Sequence, residues 1–233
     1  MSSAKCKEVL ELLKSRANPA SVAGMARYGI NPHQTLGISI PFLRQLAREI
    51  GRQHSLAEEL WSSGIHEARI LAGYIDDSAL VSEAQMELWA ADFDSWDVCD
   101  QCCSNLFDRT PHAKRKAVEW SRREEEFVKR AGFVLMAQLA VHDKKAPDSL
   151  FEAYLIRVFQ EALDERNYVR KAVNWALRSI GKRNPRLNSL AIRKAEEIQK
   201  IDSKSARWIA DDALRELGSE KIQQRMKEKQ THV

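Results

Sequence analysis

One short segment of the chain, residues 95–100 (SWDVCD), combines an aromatic ring with a carboxylate at helical spacing. Trp96 and Asp100 are four residues apart, so on a helix they share one face. Further along, Arg130 and Trp175 also lie in segments with helical periodicity. Two aromatic faces, one acid and one guanidinium on neighbouring helices would hold a sugar–phosphate and polarise it.

Each of these residues also has a purely structural interpretation. A tryptophan on a helix is often partly buried in the core, and the chain has 6 of them. Asp100 alone is compatible with a local cap or ion pair, and Arg130 with an ion pair to Glu126 at i−4. Only the combination of the four residues favours a site. Asp97 points roughly 100° away from Trp96 on a helix and is interpreted as structural.

Helical periodicity dominates the whole chain. Apolar residues recur at helical spacing near both ends, over residues 9–13 and 192–198, whereas β-branched alternation is nearly absent. The 9 Gly and 6 Pro fall mostly between the helical stretches. The sequence therefore predicts an all-α protein.

A basic residue recurs in register along the predicted helices. The positions are Arg69, Arg130, Lys171 and Arg207. Successive positions are separated by 61, 41 and 36 residues. Inserting the helix of Trp96 into the first gap leaves steps of about 30 residues, and two-helix units of this length are typical of a HEAT or armadillo solenoid. Stacked pairs would bring these basic residues together on one concave surface.

The chain has no convincing linker, and we expect a single domain over residues 1–233. Its tail becomes polar from Gly218, so residues 226–233 are expected to be frayed. No apolar run approaches the roughly 20 residues that span a bilayer, and no apolar signal core follows the start. We therefore expect a cytoplasmic protein.

Charge is distributed unevenly along the chain. Residues 51–100 hold 2 Lys/Arg against 11 Asp/Glu, whereas residues 166–207 hold 12 against 3. A basic half is the electrostatic footprint of a protein that binds a polyanion such as nucleic acid. The alternative is that the two halves simply keep the chain soluble.

Three of the 4 cysteines crowd into one predicted helix, at Cys99, Cys102 and Cys103. A zinc site there lacks a second ligand pair at suitable spacing, although His112 is near. Buried reduced thiols are the favoured interpretation, with a thiol or zinc enzyme as the weakest alternative. No phosphate-binding glycine loop or zinc-protease motif is present, and we expect neither a metal nor a cofactor.

Four segments resemble the DNA alkylation repair family, the AlkD-like DNA glycosylases built from HEAT-like repeats: residues 36–44 (LGISIPFLR), 96–100, the helix of Arg130, and 171–177. The resemblance covers most of the chain. It implies an all-α, right-handed superhelix of about six HEAT-like helical pairs, and a basic groove for duplex DNA. The implied activity is excision of the cationic bases N3-alkyladenine and N7-alkylguanine by hydrolysis of the N-glycosidic bond, without base flipping.

By the same resemblance, Trp96 and Trp175 form the aromatic walls of the site, Asp100 is the catalytic carboxylate, and Arg130 is the cation beside the phosphate. The residue types suit this chemistry independently. An alkylated purine is a good leaving group, and the sugar develops oxocarbenium character as the bond breaks. A carboxylate stabilises that charge and orients the attacking water.

Further residues are expected to contact DNA. They are mostly basic side chains placed to meet phosphates: Tyr28, Arg44, Arg69, Arg170, Lys171 and Arg207. For Tyr28, a core ring is an equal alternative. The expected partner is double-stranded DNA with alkylated bases, bound by a monomer. The alternative function is a non-enzymatic HEAT-like solenoid that binds DNA or a protein partner.

Overall fold

The structure, a computed structural model, describes residues 2–231, and for Thr231 the backbone alone. Over this range the chain forms α-helices, one 3-10 turn at Phe107–Arg109 and no β-strand. In chain order the helices are α1 (Ala4–Ser15), α2 (Pro19–Arg27), α3 (Ile40–Ile50), α4 (His54–Ser62), α5 (His66–Ile75), α6 (Glu83–Ala91), α7 (Trp96–Asn105), α8 (Ala113–Trp120), α9 (Glu126–His142), α10 (Asp148–Gln160), α11 (Asn167–Gly181), α12 (Pro185–Gln199), α13 (Lys204–Leu217) and α14 (Glu220–Thr231). The prediction of an all-α protein is confirmed.

Short polar side chains set the starts of several helices. At each of these starts the N-cap side chain accepts the backbone N–H three residues on, at Ser3, Asn18, Ser82, Asn184 and Ser203. In α2 and α12 a proline follows the capping asparagine at the first helical position. These boundaries therefore follow from local sequence.

The chain divides into two compact units, Met1–His112 and Ala113–Val233. In the first unit, α5 packs against α3, α4 and α7. The indole rings of Trp61 and Trp89 stack there, with centroids 4.0 Å apart and planes 4° from parallel, and Phe93 and Phe107 close around them. For these two tryptophans the core interpretation is correct.

The second unit is built from helix pairs. Helices α8 and α9, α10 and α11, and α12 and α13 pack together, while α9, α11 and α13 pack side by side in that order. Gly132 allows the close approach of α9 to the end of α8, because a Cβ there would lie 2.4 Å from the backbone nitrogen of Ser121. This arrangement is the repeated two-helix unit that the sequence predicts.

The recurrent basic residues occupy matching places in the helices. Arg69, Arg130, Lys171 and Arg207 are the fourth or fifth residues of α5, α9, α11 and α13, each the second helix of its pair. The register inferred from the sequence is therefore confirmed, although the environments of the four side chains differ.

The last helix continues beyond the point where the sequence predicts fraying. Ile222 and Met226 are buried, and α14 runs to Thr231. The ammonium group of Lys229 donates hydrogen bonds to the backbone carbonyls of Lys182 at 3.1 Å and Arg183 at 2.6 Å. This contact with the end of α11 holds the helix in place. Residues 232 and 233 lie outside the described residues.

None of the helices within residues 2–231 is both long enough and apolar enough to cross a membrane.

Candidate nucleic-acid interface

In the first unit, α7 carries the predicted aromatic–carboxylate pair. The helix begins at Trp96, directly after Ser95, whose buried hydroxyl accepts the N–H of Asn31 at 2.9 Å. Trp96 and Asp100 are both partly exposed, whereas residues 97–99 between them are buried. The two side chains therefore share the accessible stripe of α7, as their spacing predicts.

Trp96 is joined to Tyr28, a residue predicted separately. The indole Nε1 of Trp96 donates a hydrogen bond to the backbone carbonyl of Tyr28 at 3.0 Å. The Tyr28 side chain is 77% exposed, so it is not a core ring and is available as a surface contact. Tyr28 directly follows α2, a helix with no buried residue.

Trp96 also borders open space. A cavity of about 360 Å³ lies between α2, the loop before α3, α5 and α7, and Trp96 is one of the residues that line it. Its other walls include Met25, Ile38 and Ile70. A tryptophan beside a cavity of this size is not a tightly packed core residue, which argues against the purely structural interpretation of Trp96.

The carboxylate of Asp97 is used inside the first unit. Its Oδ2 lies 2.9 Å from Nε2 of His66, and both residues are buried. Burial lowers the pKa of His66, but the hydrogen bond to Asp97 and the charges of Asp97, Glu67 and another carboxylate outweigh it, so the pKa is raised. Because 31 residues separate His66 from Asp97, no local motif reveals this pair.

The segment 36–44, which resembles the repair family, is shaped by buried Glu67. The carboxylate of Glu67 accepts the backbone N–H groups of Leu36 at 2.8 Å, Gly37 at 2.7 Å and Ile38 at 3.1 Å. Gly37 has φ +79°, and a Cβ there would lie 2.3 Å from a backbone oxygen of the α1–α2 loop. The segment is thus a structural loop held by one acid.

The two arginines predicted in the first unit have different environments. Arg44 is exposed on α3, with its guanidinium 5.9 Å from the ring centroid of Tyr74. Arg69 is mostly buried, donates to the backbone carbonyl of Asp92 at 3.0 Å and lies 5.5 Å from the ring of Trp61. Arg44 is therefore accessible to a phosphate, whereas Arg69 is held by the protein itself.

In the second unit, Arg130 is buried within α9. Its guanidinium donates a hydrogen bond of 2.6 Å to the backbone carbonyl of Tyr168, in the first turn of α11. Arg130 therefore joins two neighbouring repeats. Any contact with a phosphate would add to this structural role.

Helix α11 presents an aromatic ring and a cation on one face. Lys171 and Trp175 are four residues apart; Lys171 is exposed and Trp175 partly exposed. Further along, Arg178 is engaged by an ion pair with Glu216 of α13. Lys171 and Trp175 are thus placed to contact a ligand on this face.

Aromatic and basic side chains also meet between α11 and α13. The guanidinium of Arg170, on α11, lies 5.2 Å from the ring centroid of Trp208, on α13. On the other side of α11, the ring of Tyr168 lies 5.4 Å from that of Phe127, on α9. Arg207 is exposed and pairs with Asp202 at 3.1 Å. We call the set of Tyr168, Arg170, Lys171, Arg207 and Trp208 the α11–α13 surface. The sequence does not mark Trp208 as a site residue, because only its exposure distinguishes it from the core tryptophans.

All four cysteines are buried thiols without disulfides. Burial raises the pKa of Cys102 and of Cys103 well above the ordinary thiol value. Among the described residues, no group of three or more His, Cys, Asp or Glu side chains is placed to hold a metal ion. Cys99, Cys102 and Cys103 are thus buried thiols, the interpretation that the sequence favours.

The four predicted catalytic residues are divided equally between the units. Trp96 and Asp100 lie in the first, and Arg130 and Trp175 in the second. That they act together in one site stays a prediction.

Residues 9–217 match the family model described as DNA alkylation repair enzyme. Because this match spans most of the chain, the protein belongs to the DNA alkylation repair enzyme family, and the resemblance carried by the four segments is confirmed. No curated protein matches the chain.

A solved structure shows the same fold. It is similar to this chain with a TM-score of 0.75 and 19% identity, over 90% of this chain and 94% of that one. It is described as a new family of proteins related to the HEAT-like repeat DNA glycosylases, with affinity for branched DNA structures. The predicted HEAT-like solenoid fold is therefore confirmed.

Proposed function

We propose that this protein is a DNA glycosylase that removes N3-alkyladenine and N7-alkylguanine from duplex DNA, without base flipping. The single observation that supports this most is the accessible stripe of α7. Asp100 and Trp96 share that stripe, and both are partly exposed. A carboxylate beside an aromatic face suits a sugar that becomes positively charged.

The proposed reaction needs little acid catalysis. The glycosidic bond breaks with its electron pair passing to the purine, so the cationic base leaves neutral and C1′ of the deoxyribose becomes electron-poor. Asp100 stabilises this charge and orients a water molecule, whose oxygen adds to C1′ as one proton is released. Trp96 and Trp175 would flank the sugar, and Arg130 would face the adjoining phosphate.

DNA binding would rest mainly on phosphate contacts. In the first unit Arg44 is exposed, and Tyr28 is exposed beside Trp96. In the second unit the α11–α13 surface adds Lys171, Arg170 and Arg207. Such contacts would make binding salt-dependent and largely indifferent to sequence.

A second candidate function is DNA binding without catalysis. The similar solved structure belongs to proteins described as having affinity for branched DNA structures, and the α11–α13 surface offers both cations and rings. A non-enzymatic solenoid that binds a protein partner remains the further alternative. Release of an alkylated base from DNA would distinguish the glycosylase from both of these non-catalytic alternatives.

The test of the glycosylase is single-turnover release of methylated bases from methylated duplex DNA, followed by chromatography. The Asp100→Asn variant retains the shape of the side chain but removes its charge. We expect it to release base about 100-fold more slowly or worse, a loss of about 2.7 kcal/mol of transition-state stabilisation, with DNA affinity nearly unchanged. Glu8→Gln, at an exposed position of α1, is the matched control. If folded Asp100→Asn protein is as fast as the unmodified protein, DNA binding without this catalysis is the better account.

A further inference from the structure

Trp208 is the most exposed tryptophan of the chain. Its side chain is 38% exposed, whereas Trp61, Trp89 and Trp120 are between 0% and 2% exposed, and Trp96 and Trp175 are partly buried. The exposed part of this large ring forgoes the stabilisation of burial. Its position on α13 therefore points to a role outside the core.

A cation already borders the ring of Trp208. The guanidinium of Arg170, on α11, lies 5.2 Å from the ring centroid. This distance is within the range of a cation–π interaction. Arg170 thus orients the indole from one side and places a positive charge beside any group that stacks on the ring.

The acidic residues next to Trp208 on α13 are engaged by side chains of the protein. Asp211 accepts the amide N–H of Gln199 at 2.7 Å. Asp212 accepts the amide N–H of Asn174 at 3.0 Å. Asp212 is also ion-paired with Arg178, which offsets its charge, whereas an amide partner leaves the charge of Asp211 in place.

The basic residues of the same region are exposed. Lys204 and Arg207 lie on the first turn of α13, and Lys171 lies on α11. Arg207 has an ion pair with Asp202, a residue that is itself 98% exposed. An exposed pair of this kind contributes little and is readily exchanged for a phosphate.

We propose that Trp208, backed by Arg170, is a stacking platform for an unpaired DNA base. An aromatic ring flanked by cations is the arrangement with which proteins bind single-stranded nucleic acid. Bases inside a duplex are covered on both faces by their neighbours, so the platform selects DNA with a single-stranded arm. This proposal rests on the proposed DNA binding, and it adds recognition of DNA structure to recognition of the phosphate backbone.

The test measures equilibrium binding of two unmodified DNAs by fluorescence anisotropy: a blunt duplex, and the same duplex carrying a single-stranded thymine arm. We expect Trp208→Leu to weaken binding of the arm-bearing DNA by roughly 5- to 100-fold, the range for loss of one base–aromatic stack, and to leave the blunt duplex nearly unchanged. Trp208→Phe, which retains an aromatic ring, should weaken binding of the arm-bearing DNA less than Trp208→Leu does. Ile156→Ala, at a position 56% exposed on α10, is the control.

Stacking also predicts the salt dependence. Because the indole neutralises no phosphate, Trp208→Leu should shift the line of log affinity against log salt without changing its slope. An equal loss on both DNAs, or a loss accompanied by a flatter slope, would overturn the proposal, as would unchanged binding of the arm-bearing DNA. The measurement uses undamaged DNA, so a failure to release alkylated bases would refute the glycosylase and leave this result standing.

Discussion

The guanidinium of Arg130 and the backbone carbonyl of Tyr168 are joined by a hydrogen bond of 2.6 Å. Arg130 lies on α9 and Tyr168 in the first turn of α11, so this bond connects two successive repeats of the second unit. Burial of Arg130 excludes water from the interaction and strengthens it.

We therefore expect Arg130→Ala to lower the free energy of unfolding by about 1.5–3 kcal/mol, the usual contribution of a hydrogen bond to a charged group. Urea denaturation of the folded protein measures this change. Arg193→Ala, at an exposed position of α12, should stay within about 0.5 kcal/mol of the unmodified protein. Equal stability of the two variants would show that Arg130 has no structural role.

Lys171 and Arg69 should differ in DNA binding although they share a register. Lys171 is exposed, so Lys171→Ala should flatten the slope of log affinity against log salt by roughly one unit, and Arg207→Ala should do the same. Arg69 is held by Asp92, so Arg69→Ala should reduce stability and leave the slope unchanged. Titrations of duplex DNA at several salt concentrations check this. An unchanged slope for Lys171→Ala would remove Lys171 from the interface.

Two glycine-to-alanine substitutions should have opposite effects on stability. In Gly132→Ala the new Cβ would lie 2.4 Å from the backbone nitrogen of Ser121, so we expect a loss of about 1–3 kcal/mol from overpacking. A Cβ at Gly24, in α2, meets nothing within 4 Å. Gly24→Ala should therefore gain about 0.5–1 kcal/mol from the reduced entropy of the unfolded chain. Thermal unfolding of both variants decides the point, and changes of the same sign would contradict it.

The pair of His66 and Asp97 should make stability depend on pH. Folding raises the pKa of His66 above its ordinary value of 6.5. Protonated His66 therefore contributes stability that is fully present below about pH 6.5 and is lost as pH rises through the folded-state pKa. Asp97→Asn should flatten the profile of unfolding free energy in this window.

His33→Gln is the control for this profile, because His33 lies at an exposed loop position. It should retain the dependence of the unmodified protein. A profile that Asp97→Asn leaves unchanged would mean that the contact between His66 and Asp97 does not raise the pKa of the imidazole.

Local patterns in the sequence were sufficient to predict the register of the recurrent basic residues, and the shared face of Trp96 and Asp100 on α7. Trp96 and Asp100 share a stripe because their spacing alone determines it. The contacts of Arg69 and Arg130 are different in kind. Arg69 reaches Asp92 and Arg130 reaches Tyr168, residues 23 and 38 positions away. Such partners depend on how helices pack, and periodicity does not specify them.

Glu67 illustrates the same limit at the candidate site. Its three bonds are to backbone N–H groups about 30 residues earlier, and every residue except proline offers such a group. Apart from Gly37, the residue types of these partners therefore do not reveal that they bind Glu67. Exposure is equally hidden, since Trp208 and Trp120 are the same residue type in similar helical segments but are 38% and 0% exposed.

Burial is distributed very unevenly between α2 and α9. Helix α2 has no buried side chain, whereas residues 128–140 of α9 are buried without interruption. In native-state hydrogen exchange we therefore expect the amides of α2 to open by local fluctuation, and those of α9 to exchange only when the second unit unfolds. By this expectation, the Tyr28 carbonyl that Trp96 contacts would lie at a quickly exchanging edge of the first unit, and Arg130 in a slowly exchanging part of the second.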